Sequence, residues 1–287
     1  MKIVRARHMG MCFGVRDAIT LAESRSQEAP LTVLGELVHN DLVNARLREK
    51  GVRLETDLER VGTTTVMVTA HGASQRAMQR MEMRGHRVLE ATCPLVHSAH
   101  RAVEALVKMG YHPVIIGKRD HVEVRGMTED LEDYDVVLTE EDVRGLHERP
   151  RFGVASQTTQ PVERVRRLTD LIRKTFARSE VRPVDTVCRP TKDRQAAAVE
   201  LAQTCDVVLV VGAPHSNNTR ELDATCRRFC PNVFRIQGPD ELNRQWFNPD
   251  QTVGITAGTS TPDHVVDAVE ERLNAWEDWS PQSQERS

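Results

Sequence analysis

The chain has 287 residues, 39% hydrophobic and 28% charged, enough for one large well-buried domain or for two to three small ones. A formal charge of −3 and a pI near 6.4 give no global positive field for nucleic acid or an anionic membrane surface, so neither is expected as a partner. No stretch approaches the ~20 apolar residues that span a bilayer, and MKIVRARHMGMCFGV at the start lacks the apolar core and cleavage site of a secretory signal, so a cytoplasmic protein is expected.

Short runs of Val, Ile and Leu, each followed by small polar residues and then a helical pattern, predict the strands of parallel α/β units. In chain order they are LTVLGEL (31–37), TTVMVTA (64–70), PVIIG (113–117), RFGVAS (151–156), DVVLVVG (206–212) and TVGITAG (252–258). Helices are predicted over 98–109, 161–178, 193–204 and 263–276, with their Arg and Glu runs reading as solvated faces. The tail SPQSQERS is polar and is expected to be disordered.

Six cysteines are too few in a chain of this length for a disulfide-stapled scaffold; in a reducing compartment they are free thiols or metal ligands. Three of them occupy similar fragments. RHMGMCFGVRDAITLAE (7–23), LEATCPLVHSAHRAVEALV (89–107) and VDTVCRPTKDRQAAAVELA (184–202) each pass from an extended piece through Cys12, Cys93 or Cys188 into a helix. The repetition predicts three α/β lobes, each contributing one thiol from a strand-to-helix junction. A helix N-terminus favours thiolate, so lowered thiol pKa values are expected there. Three thiolates without a fourth Cys or a paired His are one ligand short of a closed zinc site or a fully Cys-ligated iron–sulfur cluster. Taken alone, this spacing also fits inert core cysteines. Cys205, Cys226 and Cys230 break the pattern and are expected to pack.

A second constellation follows the predicted strands: His39, His71, His121 with Glu123, Thr158 with Thr159, Ser216 to Thr219, and Ser260. In open α/β sheets ligands bind beyond the carboxyl ends of the strands, where helix N-termini present donors to anions. Neither GxGxxG nor a P-loop is present, so a compact di-anionic head group fits better than a nucleotide. Each residue alone also reads as a turn, a cap or a satisfied structural histidine.

MCFGV, LVHN, TAHGAS, ATCPLVHSAH, HVEVRG, SQTT, the RQ pair after Cys188, SNNT and GTSTP occur in the order found in the 4-hydroxy-3-methylbut-2-enyl diphosphate reductases of the LytB/IspH type. The chain resembles that family from residue 3 to about 272. The resemblance implies an α/β fold with a trefoil-like arrangement of three pseudo-equivalent lobes around a central iron–sulfur cluster. The lobes are expected at 1–92, 93–187 and 188–276, with a disordered tail at 277–287. It further implies a [4Fe-4S] cluster held by Cys12, Cys93 and Cys188, with one open iron that binds the substrate hydroxyl oxygen. By the same resemblance His39, His71, His121, Ser216, Asn218 and Ser260 hold the diphosphate, with Asn217 where the family usually has serine. Glu123 delivers protons, Thr158 orients the departing group, and a flavodoxin- or ferredoxin-type protein donates electrons. A proton-delivering Glu123 must hold its proton when needed, so a pKa raised by burial is expected.

Five features depart from the family pattern: Asp17 at an arginine position, RPTKDRQ after Cys188, which still keeps Thr191, Arg194 and Gln195, His215 at an asparagine position, Asn217, and GMTEDLED (126–133). They leave three readings open. The chain is the allylic diphosphate reductase; a divergent paralogue with the same cluster and anion cradle but another substrate or a sensor role; or a cluster-free binding protein whose cysteines hold zinc or nothing. Oligomeric state, monomer or dimer, is not fixed by the sequence.

Overall fold

The computed structural model describes residues 1–276; the tail expected at 277–287 lies outside them. The chain begins with β1 (Lys2–Arg5), α1 (Phe13–Glu28), β2 (Leu31–Leu34), α2 (Asp41–Glu49), β3 (Arg53–Glu55), β4 (Thr65–Val68), α3 (Gln75–Met83) and β5 (Arg87–Glu90). It continues through α4 (Pro94–Lys108), β6 (His112–Ile116), α5 (Val122–Thr128), β7 (Asp135–Val137), α6 (Glu140–Arg144), β8 (Arg151–Ser156), α7 (Val162–Thr175) and β9 (Glu180–Pro183). Then come α8 (Arg189–Thr204), β10 (Val207–Val211), α9 (Asn217–Arg227), β11 (Val233–Ile236), β12 (Thr252–Ala257) and α10 (Asp263–Asn274).

The strands form three four-stranded sheets, ordered β3-β2-β4-β5, β7-β6-β8-β9 and β11-β10-β12-β1. Every pairing is parallel. Written this way the three orders are one order. The chain enters at a central strand, steps to one edge, returns to the other central strand and leaves by the opposite edge. In the third sheet that last edge is the N-terminal β1, whose Lys2–Arg5 pair with Thr252–Ile255. The expected boundary at residue 92 therefore assigns β1 to the wrong lobe. Its apolar pair Ile3 and Val4 completes the sheet built by the C-terminal part of the chain.

By compactness the described residues divide into two units, Cys12–Asp193 with the first two sheets and Met1–Met11 plus the residues from Arg194 onward with the third. In the first unit, β6 alternates Val114 and Ile116 toward Leu168 and Ile172 of α7, and Ile115 toward Ala99, Val103 and Leu106 of α4. Each such fully buried aliphatic side chain contributes roughly 1.5–3 kcal/mol. The packing of α4 fixes the helix that Cys93 begins. In the second unit, Val208 and Val210 of β10 pack with Ala198, Leu201 and Leu222, while Val207, Leu209 and Val211 pack with Val265, Val269 and Leu273. Cys205, Cys226 and Cys230 lie in the former cluster, the packing role expected of them. Burial pushes the Cys226 thiol up to about 12. No helix among the described residues is long and apolar enough to cross a membrane.

Candidate functional site

The shared strand order generates the site residues in two sets. In an open parallel sheet, the gap between central strands whose connections run in opposite directions is where a ligand finds room. His39 and His71 follow β2 and β4, the central pair of the first sheet, and His121 and Thr158 follow β6 and β8, the central pair of the second. Ser216, Asn217 and Asn218 follow β10, and Ser260 follows β12. The three cysteines instead follow the last edge strands: β1 leads to Cys12, β5 to Cys93 and β9 to Cys188.

Cys12 is the N-cap of α1 and Cys93 the N-cap of α4, with Pro94 in the first turn after it. Cys188 precedes α8, and its carbonyl accepts from the N–H groups of Thr191 (3.0 Å) and Lys192 (3.1 Å). Neither Cys12 nor Cys93 makes a side-chain cap bond, so a sulfur stands where Ser or Asp would have closed the helix end. Cys188 Sγ donates to Thr191 Oγ1 at 3.1 Å, one helical turn on. Gly14 lies against Cys93: a Cβ there would be 2.5 Å from its Sγ and 2.9 Å from its Cβ.

Lowered thiol pKa values were expected at these junctions, and the opposite holds for two of the three. Burial pushes the Cys93 thiol up despite the N–H groups of Leu95 and Val96. It pushes Cys188 up to about 11 despite Thr191, and Glu123 and Cys12 act in the same upward direction. Desolvation outweighs the helix end here, so thiolate at these positions requires a bound cation to supply the compensating charge. The donor set fits a polynuclear centre better than a single ion. Among the described residues, Cys12, Cys93 and Cys188 do not form a group with every ligand atom within 4.8 Å of the others.

Glu123 is buried in the first turn of α5, and its Oε1 accepts the Thr158 N–H at 2.6 Å. Burial raises its pKa to about 7 against the opposing hydrogen bonds from Thr158, in the direction anticipated. The Thr158 carbonyl accepts the Cys188 N–H at 3.0 Å, so the backbone of one residue, through its N–H and its carbonyl, links the carboxyl to one of the cysteines.

His121 caps α5 through Nδ1, which accepts the Glu123 N–H at 3.1 Å. That bond assigns the proton of a neutral ring to Nε2, leaving it a donor. His39 Nδ1 donates to Glu36 Oε2 at 3.0 Å. The His39 and His71 rings stack at 4.3 Å, and His121 meets their edges at 5.3 and 5.5 Å. One ring nitrogen from each of the three lies within 4.8 Å of the others. Burial, reinforced by His39 and His121, holds the His71 pKa well below the ordinary histidine value. A neutral His71 ring can take part in hydrogen bonding without adding charge beside the other two.

In the other unit, Ser216 caps α9 by accepting the Thr219 N–H at 3.4 Å, and Asn217 and Asn218 fill the first turn. Asn218 Oδ1 accepts the Thr259 N–H at 3.0 Å, which ties the loop bearing Ser260 to that helix end. Gly212 and Gly258 permit the approach, since a Cβ on either would come within 2.6 Å of Thr219 Oγ1. Ser216, Asn217, Asn218 and Ser260 are all buried. Asp17, by contrast, lies on the exposed face of α1.

Several functional neighbours escaped the sequence reading. Thr191 was noted as matching the family pattern but given no role, although its i+3 spacing from Cys188 on one helix turn was a usable signal. Glu36 had one of the same kind, three residues before His39, whereas Gly14 had none, because only the fold brings Cys93 near it.

Comparisons with known proteins agree with this geometry. The family described as LytB protein matches residues 3–274. Proteins named 4-hydroxy-3-methylbut-2-enyl diphosphate reductase from Trichlorobacter lovleyi and Geobacter sulfurreducens are each 35% identical, covering 96% of this chain and 98% of their own length. The one from Dictyoglomus thermophilum is 36% identical, covering 93% of this chain and 94% of itself. The solved E-1-hydroxy-2-methyl-but-2-enyl-4-diphosphate reductase of Plasmodium falciparum superposes with a TM-score of 0.88 at 25% identity, over 96% of this chain and 88% of that one. A second solved structure, described as (E)-4-hydroxy-3-methyl-but-2-enyl diphosphate reductase, the terminal enzyme of the non-mevalonate pathway, gives 0.70 at 33% identity over 96% of this chain and all of that one.

Proposed function

This chain belongs to the LytB family, and on that footing we propose that it reduces 4-hydroxy-3-methylbut-2-enyl diphosphate to isopentenyl and dimethylallyl diphosphate. The net change consumes two electrons and two protons. The allylic C–O bond breaks, the hydroxyl leaves as water with one proton, and an allylic carbon takes the other. A [4Fe-4S] cluster on Cys12, Cys93 and Cys188, one iron lacking a protein ligand, would supply the Lewis acid and pass single electrons from a flavodoxin- or ferredoxin-type donor.

The protein's own residues account for the rest. Glu123 holds a proton near neutral pH because burial disfavours its anion, which suits it to protonate a departing oxygen. Thr158 fixes that carboxyl through its N–H and its side-chain hydroxyl, and the same hydroxyl is the group that would orient the departing oxygen. His121 ties its Nδ1 to the amide of Glu123 and keeps Nε2–H for a phosphate or hydroxyl oxygen. His71, kept neutral by burial, adds a ring donor of the kind that diphosphate oxygens take, and His39, its ring oriented by Glu36, stacks against it. Ser216, Asn217, Asn218 and Ser260, at and beside the N-terminus of α9, present chemistry of the same kind.

The observation that carries the reading is the buried, proton-holding Glu123 linked through the Thr158 backbone to Cys188. A structural carboxylate would have no reason to stand desolvated beside a cysteine. The test is anaerobic reconstitution followed by turnover with the allylic diphosphate and a one-electron donor. A brown protein that forms both isoprenoid products is expected. An intact, reducible cluster without product would refute the substrate, and a colourless zinc protein would refute the cluster.

A further inference from the structure

Glu129 and Asp130 lie in the GMTEDLED segment that departs from the family pattern, and they bind the start of α3. Asp130 accepts the backbone N–H groups of Gln75 at 2.7 Å and Arg76 at 2.9 Å, one on each oxygen. Glu129 accepts the Ser74 hydroxyl and Arg80 Nη2, both at 2.6 Å, and its carbonyl accepts Arg76 Nη1 at 3.0 Å. Ser74 is the N-cap of α3 and lies three residues beyond His71. Glu129 is the C-cap of α5, the helix that His121 begins. The latch thus joins the end of the element bearing His121 and Glu123 to the end of the loop bearing His71.

The same loop is seated by close backbone approach. A Cβ on Gly126 would lie 3.6 Å from the Ala73 carbonyl carbon and 3.1 Å from His100 Cε1. One on Gly72, which has a φ of +80°, would meet Thr92, Val96 and His100 within 3.4 Å. The loop also borders a cavity of about 450 Å³ that Thr69, Gly72, Ala73 and His39 help to line, together with Ser74 and Glu129 of the latch. Where the loop borders that cavity it lacks packing, so the bonds to Glu129 and Asp130 add to the close approaches at Gly72 and Gly126 in holding it.

We propose that Glu129 and Asp130 are positioning residues that hold the His71 loop at the spacing from His121 which the substrate diphosphate requires. This rests on the reductase reading above, since it takes the histidines as diphosphate donors. Removing the Asp130 carboxylate frees two amides of α3, and the loop gains freedom that binding must then remove. The effect falls on affinity rather than on the chemical step, because the bonds of Glu123 to Thr158 and His121 remain.

The experiment uses the cluster-loaded full-length protein and measures KM and kcat for the allylic diphosphate, the Kd for inorganic diphosphate, iron content and Tm. Asp130→Ala is expected to raise KM and the diphosphate Kd about tenfold, as loss of hydrogen bonds worth a kcal/mol or so implies, with iron content retained. Asp130→Asn, which keeps one of the two acceptor oxygens, should recover part of that loss, and Glu129→Gln provides a milder lesion. An unchanged KM and Kd in Asp130→Ala overturns the latch, and so does a loss of iron and Tm in step with kcat, which would mark a merely structural role. If the parent neither turns over the allylic diphosphate nor binds inorganic diphosphate, the reductase reading falls and the latch with it. A parent that does both beside a variant with unchanged KM refutes the latch alone.

Discussion

Glu123 receives the backbone N–H of Thr158 at 2.6 Å while burial lifts its pKa to about 7. The two effects oppose each other, since the amide favours the anion and desolvation favours the acid, and desolvation wins. One oxygen is therefore occupied as an acceptor, and the acid's proton sits on the other. Glu123→Gln reproduces the shape and still accepts from Thr158 but has no proton to give. It should retain the cluster and substrate affinity and lose roughly 10²–10⁴-fold in kcat. In the parent, kcat/KM should decline as pH rises through about 7, because only the protonated carboxyl is productive, and the variant's residual rate should lack that limb. Equal rates in variant and parent would remove Glu123 from proton delivery.

Gly14 separates fold from ligation. It lies inside α1, among the glycines without a left-handed φ, so alanine there should favour the helix by up to about 1 kcal/mol. Yet the added Cβ would stand 2.5 Å from Cys93 Sγ and 2.9 Å from its Cβ, so the sulfur must rotate away and the backbone shift slightly. Gly14→Ala should therefore fold with a near-parental Tm and load much less iron per chain. Full iron loading would show that the Cys93 sulfur can bind from another rotamer.

How much of this was legible in the sequence follows from which strands are wrapped on both sides. All six predicted strands are central strands; β10, for example, is buried at every position. The edge strands went unread because their apolar runs are short, two residues or fewer within each strand. RLE of β3 and EVRP of β9 have no buried residue at all. A one-sided ribbon can be polar and still pair, so its signal lies in the partner strand rather than in itself. Missing β1 in turn hid the fact that the third lobe closes with the N-terminus. The histidines and cysteines were legible because they recur at one position relative to a strand. Gly14, His100 and the Glu129–Asp130 latch were not, since each acts on chain far away in sequence.

Thr191 offers a test on the redox side of the site. Its hydroxyl lies 3.1 Å from Cys188 Sγ. With the thiol present, sulfur is the donor; with a ligating thiolate, the roles reverse and the hydroxyl donates to sulfur. Hydrogen bonds to ligand sulfurs help to set a cluster's potential, and a donor stabilises the more negative, reduced state. Thr191→Val should therefore lower the reduction potential in a spectroscopic redox titration while iron content holds. A potential unchanged within error would mean that the hydroxyl turns elsewhere once the sulfur is ligated.

Acid stability of the metal-free protein provides a check on the electrostatics that does not depend on turnover. Burial holds His71 well below the ordinary value of 6.5 and His100 at about 4, so as pH falls below 6.5 the unfolded chain binds protons that the native state refuses. Stability attributable to the two histidines is present above 6.5 and is lost on acidification. Glu123 acts in the opposite sense, because between 4.5 and about 7 the native state holds a proton that the unfolded chain has released. Its contribution is present below 4.5 and is lost as pH rises to 7. In the overlapping window the native state thus refuses two protons and retains one, and the difference favours greater stability at higher pH. Removing the carboxyl should steepen that rise, so urea midpoints of Glu123→Gln should climb more sharply between pH 5 and 6.5 than those of the parent and exceed them above pH 7. Parallel curves for the two proteins would mean that Glu123 titrates in the native state as it does in the unfolded chain.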